Sequence, residues 1–292
     1  MTDFHTPGPI TLAVELAAGT VDVSAGHTDR SRVELRPAKP DDAEALALIE
    51  RARVALDGET LVVHVPDGRR GLLLRRAPEI DVRIAVPTGS RLDVATKSAD
   101  VRAHGSFAEG RLATASGDVA VTEVTGDLSI DAASGDLRVG IVGGDARVKT
   151  ASGDVSIDEV AGGVRASSAS GDIRAGDIGD DLEAKTASGD VAADAVGGSA
   201  TVRTASGDVR IGGLGAGRTA VSTVSGDVAV RVAPELAVWL DVSSVSGDVR
   251  STLDSADDAR EGSVSTLELA VRTISGDITI EPSGRLPQRR AS

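Results

Sequence analysis

Cysteine and tyrosine are absent from the 292-residue chain, and aromatic residues amount to 1%: Phe4, Phe107 and Trp239. Without cysteine there is neither a disulfide nor a thiolate metal site. With so few rings, Val, Leu, Ile and Ala must fill the interior, so the core is expected to be thin and finely divided. No run of eighteen consecutive apolar residues occurs, so no membrane-spanning helix is expected. The opening MTDFHTPGPI has neither a basic start nor an apolar stretch. No signal peptide is therefore expected, and the chain reads as cytoplasmic, with envelope association left open.

Basic side chains are also in short supply, 31 Lys and Arg against 45 Asp and Glu, for a formal charge of −14. A surface of that sign repels phosphate backbones and anionic lipid, which argues against nucleic acid and membrane as partners. Catalytic groupings are equally scarce. The four histidines, His5, His27, His64 and His104, form no metal-binding or catalytic pair. No His stands in register with the recurring serines, and no phosphate-cradling glycine loop opens a helix. Non-enzymatic function without a cofactor is the expectation.

What the chain has in abundance is a repeat. Hydrophobic residues make up 40%, glycine occurs 34 times, and Ser-Gly-Asp appears nine times. From Ala115 onward twelve units start nine residues apart: ASGDVAVTE, VTGDLSIDA, ASGDLRVGI, VGGDARVKT and so on, ending in a looser unit at Leu214. Positions one, three, five and seven are small or apolar, the period-two signature of a strand with one buried face. Position one alternates between Ala and mainly Val or Ile, so the true period is eighteen, with two inequivalent sides.

A unit this short cannot bury its own apolar face, whereas stacked coils can, each strand pairing with its equivalent one coil away. The fold expected is all-β: a parallel β-solenoid of 18-residue coils, with two strand-bearing sides favoured over a flattened three-sided coil. About ten coils at ~4.8 Å each would make a rod on the order of 45 Å long. Gly117, Gly135, Gly153, Gly171, Gly189 and Gly207 should stack where the coil bends or the walls approach too closely for a Cβ. Asp118, Asp136, Asp154, Asp172, Asp190 and Asp208 should form a neighbouring column. Their mutual repulsion would be offset if each accepted a hydrogen bond from a turn N–H. The alternative is a calcium ladder built on the same aspartates. Against it, the six-residue liganding turn of nine-residue calcium rolls is missing. The second column is also broken, Asp127, Asp145 and Asp181 alternating with Gly163 and Ser199.

Outside the repeat, residues 1–96 read as a small β-rich cap containing one helix over 41–56, where acids lead and arginines follow. The solenoid is assigned to 97–282, beginning with a degenerate coil at Lys97. Residues 252–263 read as a protruding polar loop and 283–292 as a disordered basic tail. Trp239 is expected to pack within the closing coils.

The runs IAVPTGSRLDVATKSADVRA (84–103), TASGDV, VWLDVSSVSGDVRS (238–251) and TISGDITI (273–280) resemble the bacterial DUF4097 β-strand-repeat proteins, a family of candidate adhesins, here of actinobacterial type. The resemblance implies a β-solenoid, a connection to the cell envelope, and no catalytic residues. The function expected is a binding or scaffold protein whose partner is a protein or an envelope component. A self-assembling scaffold resembling bactofilins, joined through the solenoid ends, is the alternative.

Overall fold

The computed structural model describes residues 1–68, 77–234, 236–253 and 265–284. It divides into two compact units, residues 1–142 and 143–292.

The first unit runs β1 (Thr2–His5), β2 (Thr11–Gly26), β3 (Arg30–Pro37), α1 (Ala43–Glu50), β4 (Arg53–Asp57), β5 (Thr60–His64) and β6 (Ile80–Pro87). It continues through β7 (Arg91–Phe107), β8 (Gly110–Ser116), β9 (Val119–Val124), β10 (Leu128–Ser134) and β11 (Leu137–Val142). Strands β8 and β10 pair in parallel with Leu128 opposite Gly110, and β9 and β11 with Leu137 opposite Val119. The partner of each residue is therefore its equivalent eighteen positions earlier, as the repeat requires.

The boundary expected at residue 97 is not seen. β7 runs straight through it, and β2 lies parallel along β7 from Thr11 opposite Arg91 to Ser24 opposite His104. On its other edge β2 pairs in parallel with β5 and β6. Residues 11–26, 60–64 and 80–87 thus supply strands of the stack, which lack Ser-Gly-Asp and so looked foreign to it. Among the described residues, only β1, β3 and β4 are antiparallel: β4 on β5, β3 on β6, and β1 on β3. With α1 they make up the cap.

The helix is also shorter than expected. Asp42 caps it, its carboxylate accepting the N–H groups of Glu44 (3.0 Å) and Ala45 (3.1 Å). It stops at Glu50 because residues 53–57 pair with β5, Val54 facing Val63. Val54 and Leu56 sit two apart, a spacing that also suits a strand, and tertiary pairing decides the outcome.

The second unit contains β12 (Ala146–Lys149), β13 (Val155–Val160), β14 (Val164–Ser167), β15 (Ile173–Ile178), β16 (Leu182–Lys185), β17 (Val191–Val196) and β18 (Ala200–Arg203). Next come β19 (Val209–Leu214), β20 (Gly217–Ser222), β21 (Val228–Val232), β22 (Ala237–Ser246), β23 (Val249–Ser251), β24 (Thr266–Ser275) and β25 (Ile278–Pro282). Even-numbered strands pair with one another in parallel, and so do odd-numbered ones, giving two ladders per stack. At the Ser-Gly-Asp corner between them runs a third ladder of single bridges, Ser152–Ser170–Ser188–Ser206–Ser225–Ser275.

The spacing lengthens to nineteen where Ala200 faces Thr219, absorbing the extra residue of the looser unit. The final order is out of sequence. β24 and β25 pair with β20 and β21 on one edge and with β22 and β23 on the other. The outermost coil is therefore residues 237–251, and residues 266–282 are inserted beneath it.

Core-facing side chains follow the repeat: Val155, Ile157 and Val160 in one ladder, Val164 and Ala166 in the other. Position one needs correction. Val124, Val142, Val160, Ile178, Val196 and Leu214 are buried, but Ala115, Ala133, Ala151, Ala169, Ala187 and Ala205 are exposed. The Ser-Gly-Asp bend turns that position outward in every other unit, which accounts for its alternation between alanine and a larger residue.

Residues 254–264 and 285–292, carrying most of the expected loop and tail, lie outside the described residues. Ser283 is tied down. Its N–H donates to the Val232 carbonyl at 2.7 Å, and its hydroxyl donates to that of Gly212 at 3.0 Å.

Candidate functional site

The corner glycines meet two requirements. Gly135, Gly153, Gly171, Gly189 and Gly207 have φ between +111° and +153°, a region that side chains rarely adopt. A Cβ on Gly171, Gly189 or Gly207 would also overlap the carbonyl oxygen of the glycine one coil before. Gly117 does not have a positive φ; it is held by close approach alone, to the carbonyl of Ala99.

Beside them the aspartates form a ladder of hydrogen bonds within each unit. In the first unit the Asp118 N–H donates to Asp100 Oδ1 (3.1 Å) and the Asp136 N–H to Asp118 Oδ1 (2.9 Å). In the second, the same 2.9 Å bond joins Asp172 to Asp154, Asp190 to Asp172, Asp208 to Asp190 and Asp227 to Asp208. Asp277 follows on Asp227 at 2.8 Å and Asp248 on Asp277 at 2.9 Å, so the ladder runs to the outermost coil. Asp145 and Asp181 do the same on the other side, accepting from Gly163 (2.9 Å) and Ser199 (2.7 Å). Replacing the expected Asp by Gly or Ser leaves the bond intact, because the donor is the backbone.

The second carboxylate oxygen takes an arginine in every other coil as far as Asp208, with Arg138 on Asp136 (3.2 Å), Arg174 on Asp172 (2.7 Å) and Arg210 on Asp208 (2.9 Å), and again in the outermost coil, with Arg250 on Asp248 (2.8 Å). Arg138, Arg174 and Arg210 stand thirty-six residues apart, a period written in the sequence but overlooked when the nine-residue unit is taken alone.

A buried threonine column, also unforeseen, precedes the corner in the TASGD phrase. Thr150 donates to the Ser152 carbonyl (3.0 Å), Thr186 to that of Ser188 (3.2 Å), and Thr114 accepts the Gly117 N–H (3.1 Å). The hydroxyls of Thr219 and Thr273 are buried without a hydrogen-bond partner.

The last coils differ from the rest. The exposed alanine column continues as Val224, Ile274 and Val245, which are 49%, 54% and 81% exposed. Trp239 is 72% exposed, not packed inside as expected, because it lies on the outward face of β22.

Residues 10–177 and 181–281 match the family described as Toastrack DUF4097. The chain belongs to this family. No curated protein matches it. Among solved structures, a candidate adhesin from Bacteroides fragilis is 12% identical, with 95% of each chain covered and a TM-score of 0.31. A candidate lipid-binding protein from Parabacteroides distasonis is 10% identical over 96% of this chain and 95% of its own, TM-score 0.38. A candidate adhesin from Parabacteroides merdae is 8% identical over 94% of each, TM-score 0.31.

In this Toastrack chain the ladder carboxylates inside the stack are committed to the backbone through one oxygen, and several of them to arginine through the other. A calcium ion would have to displace those donors. Among the described residues, no three His, Asp or Glu side chains converge as a metal site. Among the described residues, the one carboxylate pulled far from its ordinary range is Glu183, down to about 2, by hydrogen bonds from Lys185 and then from Arg165 (2.7 Å). This is an exposed ion cluster on one wall. His64 meets Glu15 at 2.8 Å on the surface, and His27 lines an open cleft of about 300 Å³ with Ser24, Arg30 and Arg32. Among the described residues, no helix is long and apolar enough to cross a membrane.

Proposed function

We propose that this Toastrack chain is a non-catalytic, adhesin-like binding scaffold: the uniform coils give a stiff support, and recognition lies where the repeat breaks. The observation that carries the reading is the outward column at the corner. It is alanine through Ala151, Ala169, Ala187 and Ala205, and becomes Val224, Ile274 and Val245 in the last coils. Three branched apolar side chains held in line in water have no folding role there, and such patches mark contact surfaces. The partner is a protein or envelope component offering an apolar edge. The uniformity of the ladder supports the absence of chemistry, since a catalytic acid must differ from its neighbours.

The test immobilises the full chain and measures retention of envelope-extract proteins. Restoring the alanine column with Val224→Ala, Ile274→Ala and Val245→Ala together should cut retention at least tenfold, and Ser170→Ala with Ser188→Ala should leave it unchanged. Equal retention by both variants would sink the assignment.

A further inference from the structure

The outermost coil ends the stack with an unused edge. Among the described residues, β22 and β23 have strand partners on one side only, β24 and β25. The backbone shows which residues face outward along that edge. The Ala237 N–H donates to Ser265, the Thr252 N–H to Ile280, and the Asp248 carbonyl accepts from Ile278. In a parallel ladder alternate residues turn their N–H and C=O the same way. Leu240, Val242, Val249 and Ser251 therefore present free amides and carbonyls.

The same residues carry the core stripe. Leu240 is 40% exposed and Val249 48%, while Leu269 and Ile278, their partners one coil inward, are 1% and 0% exposed. Among the described residues, no further strand continues the core there. Edge strands are ordinarily blunted by proline, lysine or a covering segment. Residues 237–246 contain no proline and no lysine, and their single charge, Asp241, is bound to Arg272 of β24 at 3.0 Å. By contrast, the outermost strand of the first unit, β1, is four residues long and carries Asp3 paired with Arg32 at 2.8 Å.

The geometry points to a second copy of this chain as the occupant, paired antiparallel through β22 and β23 about a two-fold axis at the corner. One register satisfies side chains, backbone and charge together. It sets Val242 against Val249 of the second copy, Leu240 against Ser251, and Asp241 against Arg250. In it, the residues with free backbone groups face one another, the core-facing side chains join into a continuous core, and the one acidic residue of β22 meets the one basic residue of β23. Shifting the pairing by two residues keeps the first two matches and loses the charge match. The contact is isologous and closes on itself, so the product is a dimer and not a filament. The inference does not rest on the binding role proposed above.

The purified chain, measured without any partner, tests it. Light scattering across a concentration series should give a mass rising from 29.5 kDa to a plateau at twice that value. Because the chain has no cysteine, register can be read by cross-linking. An equimolar mixture of Val242→Cys and Val249→Cys chains should oxidise to a disulfide dimer at least tenfold faster than either variant alone. A mass constant at 29.5 kDa overturns the proposal. So does a mass that climbs without a plateau, or cross-linking as fast in the separate variants as in the mixture. Equal retention by both variants in the binding assay, with dimerisation intact, would count against the binding role only.

Discussion

Gly189→Ala tests whether the corner column is a requirement of the backbone or a habit of the repeat. Gly189 has φ +140°, and an added Cβ would overlap the backbone carbonyl of Gly171. Neither strand can yield freely, because the Gly171 N–H is bonded to Ser188 and the Gly189 N–H to Ser206, both at 3.0 Å. Holding an alanine in this region costs about 1–3 kcal/mol. Relieving the overlap by opening one or two inter-coil bonds costs a further ~1 kcal/mol each. The expected destabilisation is therefore about 2–5 kcal/mol, or a fall in melting temperature on the order of 10 °C for a chain of this size. Urea and thermal denaturation followed by circular dichroism would measure it. The control is Gly8→Ala, where the added methyl meets nothing within 4 Å and no shift is expected. A Gly189→Ala chain within about 0.5 kcal/mol of the parent would refute the steric account.

Asp190→Ala removes the acceptor of the Asp208 N–H and should destabilise by about 1–2 kcal/mol in urea titration, with Asp190→Asn losing less because its amide oxygen can still accept. Thr273→Val should be neutral or stabilising, since it deletes a buried hydroxyl without a partner, whereas Thr186→Val breaks the bond to the Ser188 carbonyl and should lower the melting temperature. Glu183, held at about 2, is a depressed acid. Its contribution is fully present above the ordinary carboxylate range and is lost as pH falls through about 2, so Glu183→Gln should lower the melting temperature at neutral pH and make no difference below that point. Arg174→Ala should destabilise by at most ~1 kcal/mol at low salt, and the effect should shrink in concentrated salt if its role is electrostatic.

Much of this was written in the chain. The eighteen-residue period fixes which residue faces which across the ladders, because a repeat in register can pair only with itself. The glycine and aspartate columns follow from the same arithmetic, and so does the idea that a backbone N–H offsets the charge. What the period hid is as physical. The strands at residues 11–26, 60–64 and 80–87 carry the alternation without the Ser-Gly-Asp corner, so their membership is set by pairing with β7 and β2, over distances that local pattern does not reach. The insertion of residues 266–282 beneath 237–251 is likewise a choice of edge, and either order satisfies the same alternation. The outward position of Ala151 and its equivalents was misassigned because the bend resets the parity of the strand. Trp239 falls on the exposed face because strand alternation turns it away from the core that its neighbours Val238 and Leu240 face.

The ladder also shows how an acidic stack of this kind stays folded. Adjacent carboxylates about 5 Å apart repel by roughly 1 kcal/mol each in water. The backbone bond to each Oδ1 is repeated in every coil, and it is stronger for being made to a charge. Arginine need not be repeated in every coil, because one guanidinium can serve two carboxylates. Arg210 lies 2.9 Å from Asp208 and 3.9 Å from Asp190, and Arg102 3.5 Å from Asp100 and 3.8 Å from Asp22. An arginine every thirty-six residues therefore places a cation on alternate aspartates of the column from Asp100 to Asp208. The intervening positions, Ala120, Ser156 and Ala192, are left free of charge and bulk. Where the ladder ends, at Asp248, no further N–H of the same chain takes up its Oδ1 among the described residues, and Arg250 beside it is the cation that the dimer register assigns to Asp241 of a second copy. The electrostatic pattern that holds one coil to the next thus arrives at the open edge with its acceptor and its cation both in place.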